Sequence, residues 1–270
     1  METALPKDEY LELNDGRYLR ESFTMRQCKS SLYLTTHLEA ADTGLPHYHE
    51  SAHLSFILNG SVIDKRRSIE TERVTGDLMY FRAGEVHQSI YCEFPAKNIN
   101  FELEPSFFTQ NAITETELET AITGNGRAKF TLLRIYREMM IDDDLSQASI
   151  EMLLLEMIQS QRPVRAFPSW FRRVLELLND RWNDELSVVE IAAAVKVHPK
   201  TISRYFSRYC GCTLGDYRRR LKVERSLSRI RSTPNSLTEI AQNCGFYDQS
   251  HFINSFKQLT GMRPGQFRRI

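Results

Sequence analysis

Cysteine is scarce: the 270-residue chain has 5, at Cys28, Cys92, Cys210, Cys212 and Cys244. An odd, scattered set excludes a disulfide framework and fits reduced thiols. Cys210-Gly-Cys212 has no second Cys or His pair at zinc spacing beside it, which argues against a structural zinc site. No apolar run approaches the roughly 20 residues that a membrane-spanning helix needs. The opening Met1-Glu-Thr-Ala-Leu-Pro-Lys-Asp-Glu9 is too acidic and polar for a signal peptide, so a cytoplasmic protein is expected. There is also no Ser/His/Asp set, paired-carboxylate site or phosphate-binding glycine loop in a supporting context, so no catalytic residues are expected. Net charge is absent too, with 35 Lys and Arg against 35 Asp and Glu.

That balance hides an asymmetry. From residue 165 onward there are 19 Lys and Arg against 9 Asp and Glu, and the preceding part holds 16 against 26. An acidic half joined to a basic half is the pattern of a regulatory or binding domain fused to a nucleic-acid-binding one. The plainer reading is an imbalance with no ligand behind it.

The basic half contains one pattern twice. Ser187-Val-Val-Glu-Ile-Ala-Ala-Ala-Val195, the turn at Lys196-Val197, and His198-Pro-Lys-Thr-Ile-Ser-Arg-Tyr-Phe-Ser-Arg-Tyr209 form the first copy. Ser236-Leu-Thr-Glu-Ile-Ala-Gln-Asn-Cys244, the turn at Gly245-Phe246, and Asp248-Gln-Ser-His-Phe-Ile-Asn-Ser-Phe-Lys-Gln-Leu259 form the second. Ile191 and Ala192 align with Ile240 and Ala241 at an offset of 49, while Ile202, Phe206 and Gly211 align with Phe252, Phe256 and Gly261 at 50, so the second turn is one residue longer. Each copy reads as a helix-turn-helix too small to bury a core alone. A preceding helix through Trp170 to Leu178, capped by Ser169, is expected to supply the packing partner.

Periodicity buries Val188, Ile191, Ala192 and Val195, then Ile202, Tyr205, Phe206 and Tyr209. This turns Lys200, Ser203, Arg204, Ser207 and Arg208 outward, a donor-rich face suited to the DNA major groove. In the second copy Leu237, Ile240, Ala241, Cys244, Phe246, Phe252, Phe256 and Leu259 are expected inside. Gln249, Ser250, Ile253, Asn254 and Lys257 then face out, with amides for adenine and Ile253 for a thymine methyl. The bridging helix from Leu214 to about Ile230 carries Arg218-Arg-Arg220, Lys222, Arg225 and Arg229, with phosphate contact expected, at Arg218 in particular.

The segment Ile240-Ala-x-x-x-Gly245-Phe-x-Asp-Gln-Ser-x-Phe252-x-x-x-Phe256-Lys-x-x-x-Gly261-Met-x-Pro264-x-x-Phe267-Arg resembles the signature of the AraC/XylS family of bacterial transcription regulators. The first copy fits too, with Lys196 where that family usually has Gly and His198 where it usually has Ser. The resemblance covers about the last hundred residues. It implies a seven-helix domain whose two recognition helices enter major-groove segments one DNA turn, roughly 34 Å, apart. It further implies a dimeric regulator, usually an activator, that contacts RNA polymerase at a promoter.

Ahead of this lie short alternating segments separated by turns: Ser31 to Leu38, His53 to Leu58, the turn at Asn59-Gly60 into Ser61-Val-Ile63, Thr71 to Phe81, His87 to Tyr91, and Asn98 to Leu103. Such a series predicts a small β-barrel or jelly roll. His47-x-His49-x3-His53-x6-Gly60 and Gly76-x7-Gly84-x2-His87 resemble the two motifs of the cupin fold, with His53 where an acidic ligand is usual. These four histidines, with Tyr33 and Tyr91, are candidates to line a pocket for a small-molecule effector; plain structural histidines are the alternative. A sugar, an aromatic acid or another small metabolite would suit such a pocket. Helical periodicity follows at Ala128 to Met140, burying Leu132, Ile135, Tyr136 and Met139. It returns at Ser146 to Gln161, with a stripe of Ile150, Leu153, Leu154, Met157 and Ile158. These helices either pack back on the sheet or pair with a second copy in a homodimer.

The expected fold is α+β in two domains. Residues 1–162 form a cupin-like sensing and dimerisation domain with a helical hairpin, 163–168 a linker, and 169–270 an all-α DNA-binding domain of two helix-turn-helix motifs joined by a long helix. The leading reading is a DNA-binding regulator responsive to an effector, with promoter DNA, RNA polymerase and a second copy as partners and no cofactor. The second reading is a cupin metal sensor or metalloenzyme fused to a DNA-binding domain, since four histidines can ligate a divalent metal. From the cysteine pattern, thiol titration of protein unfolded without reductant is expected to yield all 5 thiols per chain.

Overall fold

A computed structural model describes residues 10–14, 18, 22–28, 31–38, 44–66, 69–124, 126–159 and 167–270. The chain divides into two compact units, Met1–Ile158 and Gln159–Ile270. Most of the expected linker, residues 163–166, lies outside the described residues.

The first unit begins with β1 (Leu11–Leu13), β2 (Ser22–Cys28), β3 (Ser31–Leu38), β4 (His47–His49), β5 (Ala52–Asn59) and β6 (Ser61–Arg66). It continues with β7 (Ile69–Val74), β8 (Leu78–Phe81), β9 (Gln88–Tyr91) and β10 (Ala96–Leu103), followed by α1 (Pro105–Asn111), α2 (Glu115–Gly124), α3 (Ala128–Ile141) and α4 (Ser146–Gln159). Five strands form one sheet in the order β2-β3-β10-β5-β8, three form a second in the order β7-β6-β9, and β1 pairs with β4. β10 runs antiparallel to both β3 and β5, and its alternate residues Ile99, Phe101 and Leu103 are buried on one face while Asn98, Asn100 and Glu102 are buried on the other. A strand buried on both faces reads as a continuous apolar run only when neither face is polar; here one inner face carries hydrogen-bonding groups. At the tip between β5 and β6, Gly60 has φ +89°, and a Cβ there would meet the Glu93 carbonyl at 2.6 Å, so the close approach of the chain requires glycine. In α3 the stripe Leu132, Ile135, Tyr136 and Met139 is buried, as are Ile150, Leu153, Leu154 and Met157 in α4. Asp143 and Ser146 close the start of α4, the Ser146 hydroxyl accepting from the Asp143 N–H at 3.0 Å and donating to its carboxylate at 3.1 Å.

Among the described residues the second unit contains the helices α5 (Ser169–Asp180), α6 (Val188–Val195), α7 (Pro199–Cys210), α8 (Leu214–Ser232), α9 (Leu237–Asn243), α10 (Gln249–Thr260) and α11 (Pro264–Phe267). Phe171, Val174 and Leu178 of α5 pack with Ile191, Ala192 and Val195 of α6, Ile202 and Phe206 of α7, and Leu221 of α8 in one core cluster. Tyr205 and Tyr209, expected inside, are only half-buried, as are Val188, Leu237 and Leu259. Ser169 is the first helical residue of α5 rather than its cap; Pro168 holds the cap position and offers no side-chain acceptor. Ser187/Glu190, Thr213/Asp216 and Ser236/Glu239 each form a reciprocal capping box, which satisfies end N–H groups of α6, α8 and α9. In the second copy Phe246, Phe252, Phe256 and Phe267 form a chain of ring contacts at 5.2, 5.9 and 5.7 Å between successive centroids.

The two turns reverse the chain with left-handed residues. Gly245 has φ +69°, and a Cβ there would lie 2.6 Å from the Asn183 carbonyl. Lys196 adopts the same region, φ 57° and ψ 44°, so the first turn keeps its geometry with a side chain in a conformation that L-residues disfavour by about 1 kcal/mol or more. Lys196→Gly is therefore expected to raise stability by about 0.5–1 kcal/mol. Gly245→Ala should lower it by more than about 1 kcal/mol, because strain and clash add. Chemical denaturation of the two variants checks both signs.

Candidate nucleic-acid interface and buried histidine cavity

α7 begins at His198, whose Nδ1 accepts the Lys200 N–H at 3.2 Å. Imidazole thus serves as the cap where a hydroxyl would be usual, and Pro199 starts the helix without an orphan N–H. Burial of Ile202 and Phe206 rotates Lys200, Ser203, Arg204, Ser207 and Arg208 to the exposed side. The guanidinium carbons of Arg204 and Arg208 each lie 5.9 Å from the Tyr205 ring centre, so one ring supports both cations. In α10 the Asp248 carboxylate accepts the His251 N–H at 2.7 Å. Gln249, Ser250, Asn254 and Lys257 are exposed and Ile253 is half-buried. The Gln249 amide oxygen accepts the Thr238 hydroxyl at 2.8 Å, which orients its amide.

The bridging helix differs from expectation. Arg218 does not stand free for phosphate: its guanidinium donates to the Leu186 carbonyl at 2.7 Å and to the Asp184 carbonyl. Arg220 is buried, with its guanidinium 4.8 Å from the Tyr217 ring centre, and Lys222 is half-buried and donates to the Gly245 carbonyl. Arg229 lies 5.6 Å over Trp182. Beyond this helix, Arg268 donates to the Ile230 and Asn235 carbonyls at 3.2 and 2.7 Å. Helix and loop ends leave carbonyls without partners, and the forked guanidinium closes them. Part of the positive charge of this unit is therefore internal bracing; Arg225 alone of the named bridging cations is fully exposed.

In the first unit His47, His49, His53 and His87 converge. His47 and His49 alternate along β4 and so share a face, and His47 and His87 exchange backbone hydrogen bonds at 2.9 Å each, clamping β4 to the segment entering β9. Ring centroids are 4.4 Å apart for His47 and His87, 5.3 Å for His47 and His49, and 4.3 Å for His49 and His53. Around them Tyr18, Thr36, Ser55, Met79, Phe81, Ser89, Tyr91 and Asn100 complete a cavity of about 30 Å³, room for about two waters. Tyr91 lines it as expected; the Tyr33 side chain lies outside the described residues. Thr36, Ser55 and Asn100 were not anticipated, although polar residues alternating on β10 are the signal that marks such a face. His53 stacks on Phe81, centroids 4.5 Å apart and planes 10° off parallel, while its ring stays 4.3 Å from His49 and 5.7 Å from His87. The ligand-capable nitrogens of His47, His49 and His87 lie within 4.8 Å of one another.

Burial holds His49, His53 and His87 neutral. The His49 pKa is pushed down to about 3, first by desolvation and then by His47. Those of His53 and His87 are also well below the ordinary value, again chiefly through desolvation.

A seven-helix unit presenting two short helix pairs, each with a polar outer face on its second helix, is a helix-turn-helix DNA-binding domain. Residues 191–270 match the family described as Helix-turn-helix domain. The transcriptional activator RhrA of Rhizobium meliloti is 36% identical over 90 residues, 33% of this chain and 28% of that protein. The HTH-type transcriptional activator RhaR of Salmonella dublin is 21% identical over 251 residues, covering 85% of this chain and 88% of RhaR. A solved transcriptional regulator of AraC-type DNA-binding domain from Chromobacterium violaceum aligns at 24% identity and a TM-score of 0.36, covering 37% of this chain and 89% of that one. Residues 191–270 thus form a helix-turn-helix domain, and the relatives that the chain resembles are transcription regulators. Among the described residues no helix is long and apolar enough to cross a membrane.

The neutral histidines set a pH dependence. Below about pH 6.5 the unfolded chain takes up protons at these residues, while folded His49 stays neutral down to about pH 3. Stability is therefore fully present above pH 6.5 and falls with pH across this window, by about 2 kcal/mol at pH 5 for one such residue. Denaturation of the full chain in chelator at pH 7.5 and pH 5 is expected to show the loss.

Proposed function

We propose that the chain is a transcription activator of the cytoplasm that binds promoter DNA as a homodimer, contacts RNA polymerase there, and responds to a small ligand held in the histidine cavity of its first unit. The observation that carries this reading is the pairing, within one chain, of an outward donor face on α7 and α10 with a histidine-lined cavity in a β-rich unit. The two sheets of that unit fit the cupin-like sensing half implied by the histidine motifs. Relatives named as activators favour activation over repression. Exposed Met140, Ile141, Leu145, Met152 and Leu155 around α3 and α4 supply apolar surface for a second copy. In this reading the sensing part runs to residue 162 and the DNA-binding part starts at 169.

The two readers differ in chemistry. α7 offers Lys200, Arg204 and Arg208 with Ser203 and Ser207, whereas α10 offers Gln249, Asn254, Ser250 and Ile253 with Lys257 as its cation. Arginine pairs with guanine and with phosphate, asparagine and glutamine with adenine. With an operator selected from random DNA by the full chain, Arg204→Ala is expected to weaken specific binding by about 1–3 kcal/mol and to reduce the salt slope. Asn254→Ala should relax base preference at one position and leave the slope unchanged. Unchanged specific and non-specific affinity in Arg204→Ala would place the reading face elsewhere, and equal slopes in the two variants would refute the division between cationic and amide reader.

A further inference from the structure

We propose that Thr238 sets the base that the start of α10 reads: its hydroxyl holds the Gln249 carboxamide so that Gln249 meets the major groove with N–H donors and selects a G·C pair over an A·T pair. The proposal rests on the reading of α10 as a DNA-reading helix and names the base chemistry of its first residue.

Both side chains stand on capped first turns. The Ser236 N–H and hydroxyl donate to the Glu239 carboxylate at 2.7 and 2.8 Å, and the Glu239 N–H donates back to the Ser236 hydroxyl oxygen at 3.2 Å. Thr238 is the second residue of the helix closed in this way, α9. Across the turn, Gln249 is the first residue of α10, just after the cap in which the Asp248 carboxylate accepts the His251 N–H at 2.7 Å. The N-terminal residues of a recognition helix are the ones that reach base edges. Thr238 and Gln249 are both exposed, so the hydrogen bond between them lies on the surface that a duplex would cover in that reading.

A glutamine free to rotate can offer its oxygen, its NH2 or both. Adenine needs both, because its N7 accepts while its N6 donates, whereas guanine presents two acceptors, N7 and O6. Here the single hydroxyl proton of Thr238 goes to the Gln249 carboxamide oxygen at 2.8 Å. With the oxygen drawn onto α9, the planar group turns its NH2 the other way, and two N–H donors become what Gln249 offers. They match the two guanine acceptors and leave the N6 donor of an adenine without an acceptor, which is costly once water is excluded. The tether also restricts a long side chain before binding, which lowers the ordering cost of the contact. Thr238 suits this role because a β-branched side chain has few rotamers. It touches no base itself and acts as a positioning residue.

The test uses the full chain and an operator selected from random DNA, with the position read by Gln249 identified as the one whose preference Gln249→Ala removes. There the unaltered chain is expected to bind the G·C operator about fivefold or more tighter than its A·T variant. Thr238→Val, which keeps the shape and loses the donor, should bring that ratio to about twofold or below. Thr238→Ser, which keeps the hydroxyl, should preserve it. The position whose preference Asn254→Ala removes should be read equally by both Thr238 variants and the unaltered chain, which separates a lost amide orientation from a loosened helix. An A·T preference at the Gln249 position of the unaltered chain, or a G·C preference that survives Thr238→Val, overturns the proposal and leaves α10 as a reader. Preference lost at every position in Thr238→Val makes the residue merely structural and overturns it too. If Gln249→Ala alters no position, the proposal falls together with the place of Gln249 on the reading face. If the chain enriches no sequence at all, DNA reading by α10 falls with it.

Discussion

The chain reversal between paired helices is the constraint on which the DNA-reading unit depends. A helix pair can expose the outer face of its second member only if the first helix stops abruptly and the chain turns within a few residues. A left-handed residue at that point does this, because it redirects the backbone while closing the last carbonyls. Gly245 meets the requirement without strain and leaves the Asn183 carbonyl close against it. Lys196 meets it at a conformational cost, offset by the core in which Ile191, Ala192 and Val195 meet Ile202 and Phe206. His198 then caps α7 through an imidazole nitrogen, so both departures from the usual residues in this turn still have a local physical account.

Charge in this unit is divided between two uses. Arg218, Lys222 and Arg268 donate to carbonyls at the ends of helices and loops, and Arg220 lies against Tyr217. Arg218, Lys222 and Arg268 tie α8 to the segments around it. The cations of α7, with Lys257 of α10, are exposed to solvent. A net count of basic residues therefore overstates the electrostatic footprint of the surface, and the salt dependence of binding follows the exposed subset.

The histidine cavity illustrates the opposite economy, in which polar groups are buried without an ion pair among the lining residues. Desolvation keeps His49, His53 and His87 neutral, and the Leu45 and Glu85 carbonyls orient the rings of His47 and His87.

Much of this was legible in the sequence. The spacing of Ile191, Ala192, Ile202 and Phe206, repeated at Ile240, Ala241, Phe252 and Phe256, determined the helix pairs, their buried faces and hence the outward residues, because helical period alone fixes which side chains share a face. Alternation and turn residues determined most strands of the first unit, and the histidine motifs marked its interior. Tertiary structure alone decided the rest. Whether an arginine on α8 meets solvent or a carbonyl depends on a chain end more than 30 positions away, as with Arg218 and Leu186. That His53 stacks on Phe81 and meets His47, His49 and His87 depends on register between β5 and β8 and on the bridge from β4 to the entry of β9. Periodicity encodes which way a side chain faces from its own element; it carries no information on what the fold brings to meet it.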